Sequence, residues 1–180
     1  FCAKLLRFEI DGFLGYTKNF TIYDSSDQVT LMKSCLKELN LDDKQFPPRT
    51  VLGTVSSAKN ALLRADEFAK SADDFYTLKV SEAYTLYEKK LKDNNAVDFD
   101  DLLLLAVKLL QERQDIREKY QERFRYILVD EYQDTNKAQY LLTQILAAKW
   151  RNICVVGDAD QSIYAWRGAD IQNIMDFMRD

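Results

Sequence analysis

The sequence predicts an α/β fold, a parallel sheet sharing the chain with an inserted, mostly α-helical segment, and three observations carry that prediction. Tyr126 to Val129 and Ile153 to Val156 are short, continuous apolar runs. Between them, Lys137 to Ala148 repeats its apolar residues at helical spacing, so the order is strand, helix, strand. The third observation is a change of composition: residues 17–96 are helix-rich and neutral, with twelve basic and twelve acidic residues, whereas the chain from Val97 onward turns strongly apolar.

Taken in order, Phe1 to Phe8 reads as an amphipathic helix with Leu5, Leu6 and Phe8 apolar and Lys4 and Arg7 outward, but with no capping residue before it. Helical patterns follow around Val29 to Leu39, Thr54 to Phe68 and Phe75 to Leu91. The pair Pro47-Pro48 disfavours helix in the residues before it, so one helix must end upstream. Phe99 to Leu110 reads as an apolar helix, with Asp98 or Asp100 placed to satisfy free amides at its start. The two apolar runs suit strands buried on both faces of a parallel sheet. A right-handed crossover makes them parallel, with Asp130 and Gly157 at one edge. Ile171, Ile174, Met175 and Met178 then repeat at helical spacing up to the last residue. Both ends read as helices cut from something longer.

With 180 residues, 47% of them hydrophobic and 30% charged, the chain has material for one sizeable core or two small ones. It contains no apolar run of about eighteen residues, and its start lacks the layout of a signal peptide. Cys2, Cys35 and Cys154 are widely spaced and there is no histidine, which speaks against a zinc site and for a reducing, cytoplasmic setting. A net charge of −4 excludes a chain that coats nucleic acid by positive potential; any such contact must be local.

Two loops carry chemistry. Ligands of open parallel sheets gather beyond the carboxyl ends of the strands. The first loop there is Asp130-Glu131-Tyr132-Gln133-Asp134. Adjacent carboxylates after a buried strand suit a hydrated magnesium ion, which takes one or two carboxylates beside phosphate oxygens, together with a base for water. Alternatively they are a solvated loop, with Asp134, Thr135 or Asn136 capping the next helix. The second loop, Gly157 to Gly168, packs Gln161, Tyr164, Trp166 and Arg167 into seven residues. Gln161 is near enough to the edge to reach a terminal phosphate. Tyr164, Trp166 and Arg167 offer flat faces and a cation of the kind that stacks bases and grips single strands. They could equally be core or interface residues, with Arg167 paired to Asp170.

In combination and order, VDEYQDTN (Val129 to Asn136) and VVGDADQSIYAWRGAD (Val155 to Asp170) resemble the second and third helicase motifs of superfamily 1A DNA helicases of the PcrA/UvrD/Rep kind. VDFDDLLLLA at Val97 to Ala106 and LGTVSSAKNALL at Leu52 to Leu63 are similar to the bacterial PcrA-type members, so the resemblance covers essentially the whole chain. It implies a RecA-like (P-loop NTPase type) motor domain with ATP and Mg2+ as cofactors, translocating 3′ to 5′ on single-stranded DNA and opening duplex at junctions. Residues 1–16 and 97–180 would belong to the first motor domain and 17–96 to its inserted subdomain. Carried over by position, Asp130 would hold magnesium with Glu131 beside it, Glu131 would activate water and Gln161 would contact the γ-phosphate. Tyr164, Trp166 and Arg167 would face DNA.

GxxxxGK[ST], the loop that cradles phosphates, is nowhere in the chain. The expectation is therefore that these 180 residues alone are inactive and work with the remaining helicase domains of the same protein. Two alternatives stand beside this reading: a stand-alone DNA-binding or protein-interaction module, and part of an AddA- or RecB-like helicase-nuclease subunit.

Overall fold

A computed structural model describes residues 1–162 together with Asn173 and Phe177. The helical repeat expected over Ile171, Ile174, Met175 and Met178 lies outside the described residues, as do Tyr164, Trp166 and Arg167. The fold is α/β, mostly helical with short parallel strand pairs. It divides into two compact units, Phe1–Leu102 and Leu103–Asp180.

The first unit begins with α1 (Cys2–Glu9), which has no side-chain cap and buries Leu5 and Leu6. A two-residue strand β1 (Thr21–Ile22) pairs in parallel with β2 (Ala96–Val97), Thr21 opposite Ala96 and Ile22 opposite Val97. Asn95 closes this clasp: its side chain accepts from the Thr17 amide and donates to the Thr17 hydroxyl. The helices α2 (Ser25–Glu38), α3 (Pro48–Asn60), α4 (Ala65–Ala69) and α5 (Phe75–Asp93) lie between the two strands in sequence. They share a core that includes Met32, Leu36, Val51, Val80, Tyr84 and Tyr87.

Local chemistry sets these boundaries. Asp24 and Asp27 form a capping box at the start of α2. The proline pair opens α3: Pro48 takes the first helical position, where a missing N–H costs nothing. The pattern expected as one stretch from Thr54 to Phe68 is two helices. Leu62 takes a left-handed backbone (φ 65°), Leu63 donates to the Ala58 carbonyl and Leu62 to that of Lys59, so α3 ends in a Schellman motif before α4 starts.

The start of α6 (Phe99–Glu112) is built around a buried lysine. Asp98 and Asp101 cap the helix reciprocally, each side chain accepting from the other's backbone amide at 2.8 and 3.1 Å. Lys59 of α3, fully buried, places Nζ 2.6 Å from Asp98 Oδ2 and 2.7 Å from Asp101 Oδ1. The Tyr87 hydroxyl donates to Asp98 as well. Burial disfavours the lysine charge, but Asp101 and Asp98 more than offset it and hold Lys59 above its ordinary range. Burial, then repulsion from Asp98, pushes the Asp101 carboxyl up to about 7 against the pull of Lys59.

In the second unit, α7 (Gln114–Arg123), a highly polar helix that no sequence pattern announced, precedes β3 (Ile127–Val129). Asn136 caps α8 (Lys137–Ala147) in a box with Gln139, and β4 (Ile153–Val155) follows. The two strands pair in parallel, as expected, with Leu128 opposite Cys154. Burial on both faces is not found among the described residues. Leu128 is 79% exposed and Cys154 is exposed, while Ile127, Val129, Ile153 and Val155 are half-buried. Alternate side chains point to opposite faces, and the described residues cover one of them.

Candidate active site

Both chemistry-bearing loops leave the carboxyl edge of the same strand pair. Val129 ends β3 and Val155, its register partner, ends β4. Asp130 and Glu131 follow β3 and stand exposed. The Glu131 amide donates to Asp130 Oδ1 at 2.9 Å, which fixes the first carboxylate at the strand end. Glu131 itself takes a left-handed backbone, φ 51° and ψ 42°. For a residue with a Cβ this conformation costs about 1–2 kcal/mol, and neighbouring bonds hold it: Tyr132 donates to the Val156 carbonyl at 2.9 Å, and Asp134 to the Glu131 carbonyl at 2.9 Å. The buried Tyr132 is further braced by Phe177, ring centroids 5.5 Å apart. Behind them Asn173 donates to the Thr135 carbonyl at 2.8 Å.

The second loop is folded around Asp158. Its carboxylate accepts from the Asp160 amide at 3.0 Å and from Gln161 Nε2 at 2.8 Å. These bonds, the Gln161 one first, hold the Asp158 carboxyl below its ordinary range. Gln161 is exposed in a short turn of helix, Ala159–Gln161.

Between the loops sits Gln133, 1% exposed. Its Nε2 donates to Glu131 Oε2 at 2.7 Å, and its Oε1 accepts from the Asp158 amide at 3.0 Å. Only this orientation of the amide is chemically consistent, since a carboxylate faces one atom and an N–H the other. The sequence-predicted residues Glu131 and Gln161 are thereby joined by consecutive hydrogen bonds through Gln133 and Asp158. Asp130, Glu131 and Gln161 are brought together at one edge; Tyr164, Trp166 and Arg167 lie outside the described residues.

No group of three or more histidine, cysteine or carboxylate side chains able to cage a metal occurs among the described residues. The donor set is instead two exposed carboxylates, which fits an ion that keeps waters and phosphate oxygens as ligands, as magnesium does. No helix among the described residues is long and apolar enough to cross a membrane.

Sequence reasoning singled out the acids and Gln161 but missed Gln133, Gly157 and Asp158 as linking elements. Gly157, immediately after a buried strand, was the available signal for a close backbone approach.

An α/β chain whose acids gather at the carboxyl edge of a parallel strand pair is thus in hand, and the comparisons give it a family. The model of the UvrD/REP helicase N-terminal domain matches residues 1–180, and the chain belongs to that family. It is 52% identical over 179 residues to the ATP-dependent DNA helicase PcrA of Bacillus subtilis (strain 168), 99% of this chain and 24% of that protein. To the same-named proteins of Leuconostoc citreum and Staphylococcus aureus (strain COL) it is 51% and 48% identical, again over 99% of this chain. The chain therefore spans 24% of the length of these relatives.

Proposed function

We propose that the chain is part of the first motor domain of an ATP-driven superfamily 1A DNA helicase that moves 3′ to 5′ on single-stranded DNA and acts at single-strand/duplex junctions in the cytoplasm. In this reading residues 1–16 and 97–180 contribute a RecA-like sheet and residues 17–96 an inserted subdomain. The β1–β2 clasp supports the insertion, since the helical segment leaves and returns on neighbouring strands.

The observation that carries the reading is the joined pair of loops at the carboxyl edge, Glu131 to Gln133 to Asp158 to Gln161. Asp130 would hold magnesium, with Glu131 beside it. The ion, bound with ATP, offsets phosphate charge during transfer. Glu131, oriented by its strained backbone and by Gln133, takes the proton of the attacking water. Gln161 donates to the γ-phosphate, and Tyr164, Trp166 and Arg167 contact single-stranded DNA. Without a GxxxxGK[ST] loop, the 180 residues by themselves hydrolyse ATP negligibly and depend on the remaining domains of the same protein.

The test is DNA-stimulated ATP hydrolysis by the full-length protein with Glu131→Gln. Loss of turnover with single-strand binding retained is the expected result, and undiminished turnover overturns the role of Glu131.

A further inference from the structure

Gln133 spends both ends of its amide on the two loops of the site while its chain is buried. Its place is set tightly. A Cβ on Gly157 would stand 2.7 Å from Gln133 Oε1 and 3.2 and 3.3 Å from the backbone nitrogens of Gln133 and Tyr132. Gly157 thus lets the β4 loop come down onto the amide. The amide has no slack: moving Oε1 to follow the Asp158 amide rotates Nε2 away from Glu131, because the two atoms share one plane.

We propose that Gln133 is a positioning residue that couples the two loops, holding the Glu131 carboxylate in its working orientation only while the Gly157–Gln161 loop is seated. A displacement of that loop, through Gln161 on nucleotide or through the residues that follow it on DNA, is delivered to Glu131 by rotation of one buried amide. The inference rests on the ATP-hydrolysis reading above.

The experiment is steady-state ATP hydrolysis by the full-length protein, with and without oligo-dT, for Gln133→Met and Gln133→Glu. Methionine fills the same volume without either hydrogen bond. Glutamate keeps the acceptor for the Asp158 amide but turns a carboxylate on Glu131. Both variants are expected to lose kcat by about 10- to 100-fold, the usual effect of misplacing a reacting group through its support. KM for ATP and oligo-dT affinity are expected to stay within about threefold and the thermal midpoint close to that of the unaltered protein, since Gln133 touches neither ligand. Because the two residues act as a unit, Glu131→Gln with Gln133→Met is expected to fall no lower than Glu131→Gln alone. Wild-type turnover in Gln133→Met, or a double variant that adds the full loss of each single one, overturns the inference. The functional reading fails separately: absence of ATP hydrolysis in the unaltered protein, or full turnover in Glu131→Gln, overturns it and the inference together. Normal Gln133→Met beside an inactive Glu131→Gln overturns the inference alone.

Discussion

Gly157 and Gln133 are packed so closely that a single methyl group on the former would meet the amide oxygen of the latter at 2.7 Å. Gly157→Ala should therefore displace the buried amide and break its bonds to Glu131 and Asp158 together. Overpacking of this kind costs about 1–3 kcal/mol of stability, readable in urea unfolding. The same substitution should lower turnover in the full-length protein as Gln133→Met does. Wild-type turnover in Gly157→Ala would mean that the loop has room to slide.

Lys59 is the counter-charge for two buried carboxylates. Lys59→Met should leave Asp98 and Asp101 facing each other unneutralised at the start of α6, a loss of about 3–5 kcal/mol for breaking a buried ionic group on one side. Lys59→Met with Asp98→Asn and Asp101→Asn should recover much of that loss in denaturant melts. A triple variant no better than the single would show that the lysine stem, not its charge, is what matters.

Asp101 gives stability a pH dependence of definite sign. An unfolded aspartate titrates near ~3.9; the folded one is pushed up to about 7, by burial first and Asp98 second. The folded state therefore favours the protonated form. The associated stability is fully present below the unfolded value and lost as pH rises through the folded one. Asp101→Asn cannot titrate, so the unfolding free energies of wild type and variant should diverge between about pH 4 and pH 7, with wild type losing ground as pH rises. Parallel profiles across that window would count against the assignment.

For the DNA contact, Trp166→Ala in the full-length protein should weaken single-strand binding by about tenfold, the scale of one lost stacking contact. Retained affinity for oligo-dT at two salt concentrations would remove Trp166 from the DNA surface.

The sequence revealed what depends on periodicity and on single residue types. The α6 helix with its acidic cap, the parallel pairing of Ile127–Val129 with Ile153–Val155, and Asn136 among the candidates for the α8 cap were all legible. What escaped depends on partners distant in sequence. Leu62 ends α3 in a left-handed turn where leucine carries no turn signal. The polar helix α7 buries only Ile116, Tyr120 and Gln121, too few to show a stripe. Lys59 reads as one lysine among many until Asp98 and Asp101, some 40 residues on, are seen around it. In the site the acids and Gln161 stood out by type. Gln133 did not, because a glutamine beside a strand says nothing until both atoms of its amide have found partners.

The clasp between Thr21–Ile22 and Ala96–Val97 makes the segment it encloses a replaceable cassette. Its stems lie about one strand spacing apart, ~4.8 Å, a gap that a linker of about four to six residues can close at ~3.3 Å each. Excision or exchange at Tyr23 and Asn95 is thus a matter of grafting between two anchored posts, and a foreign domain whose termini lie close together could be seated there without lengthening the path of the chain on either side.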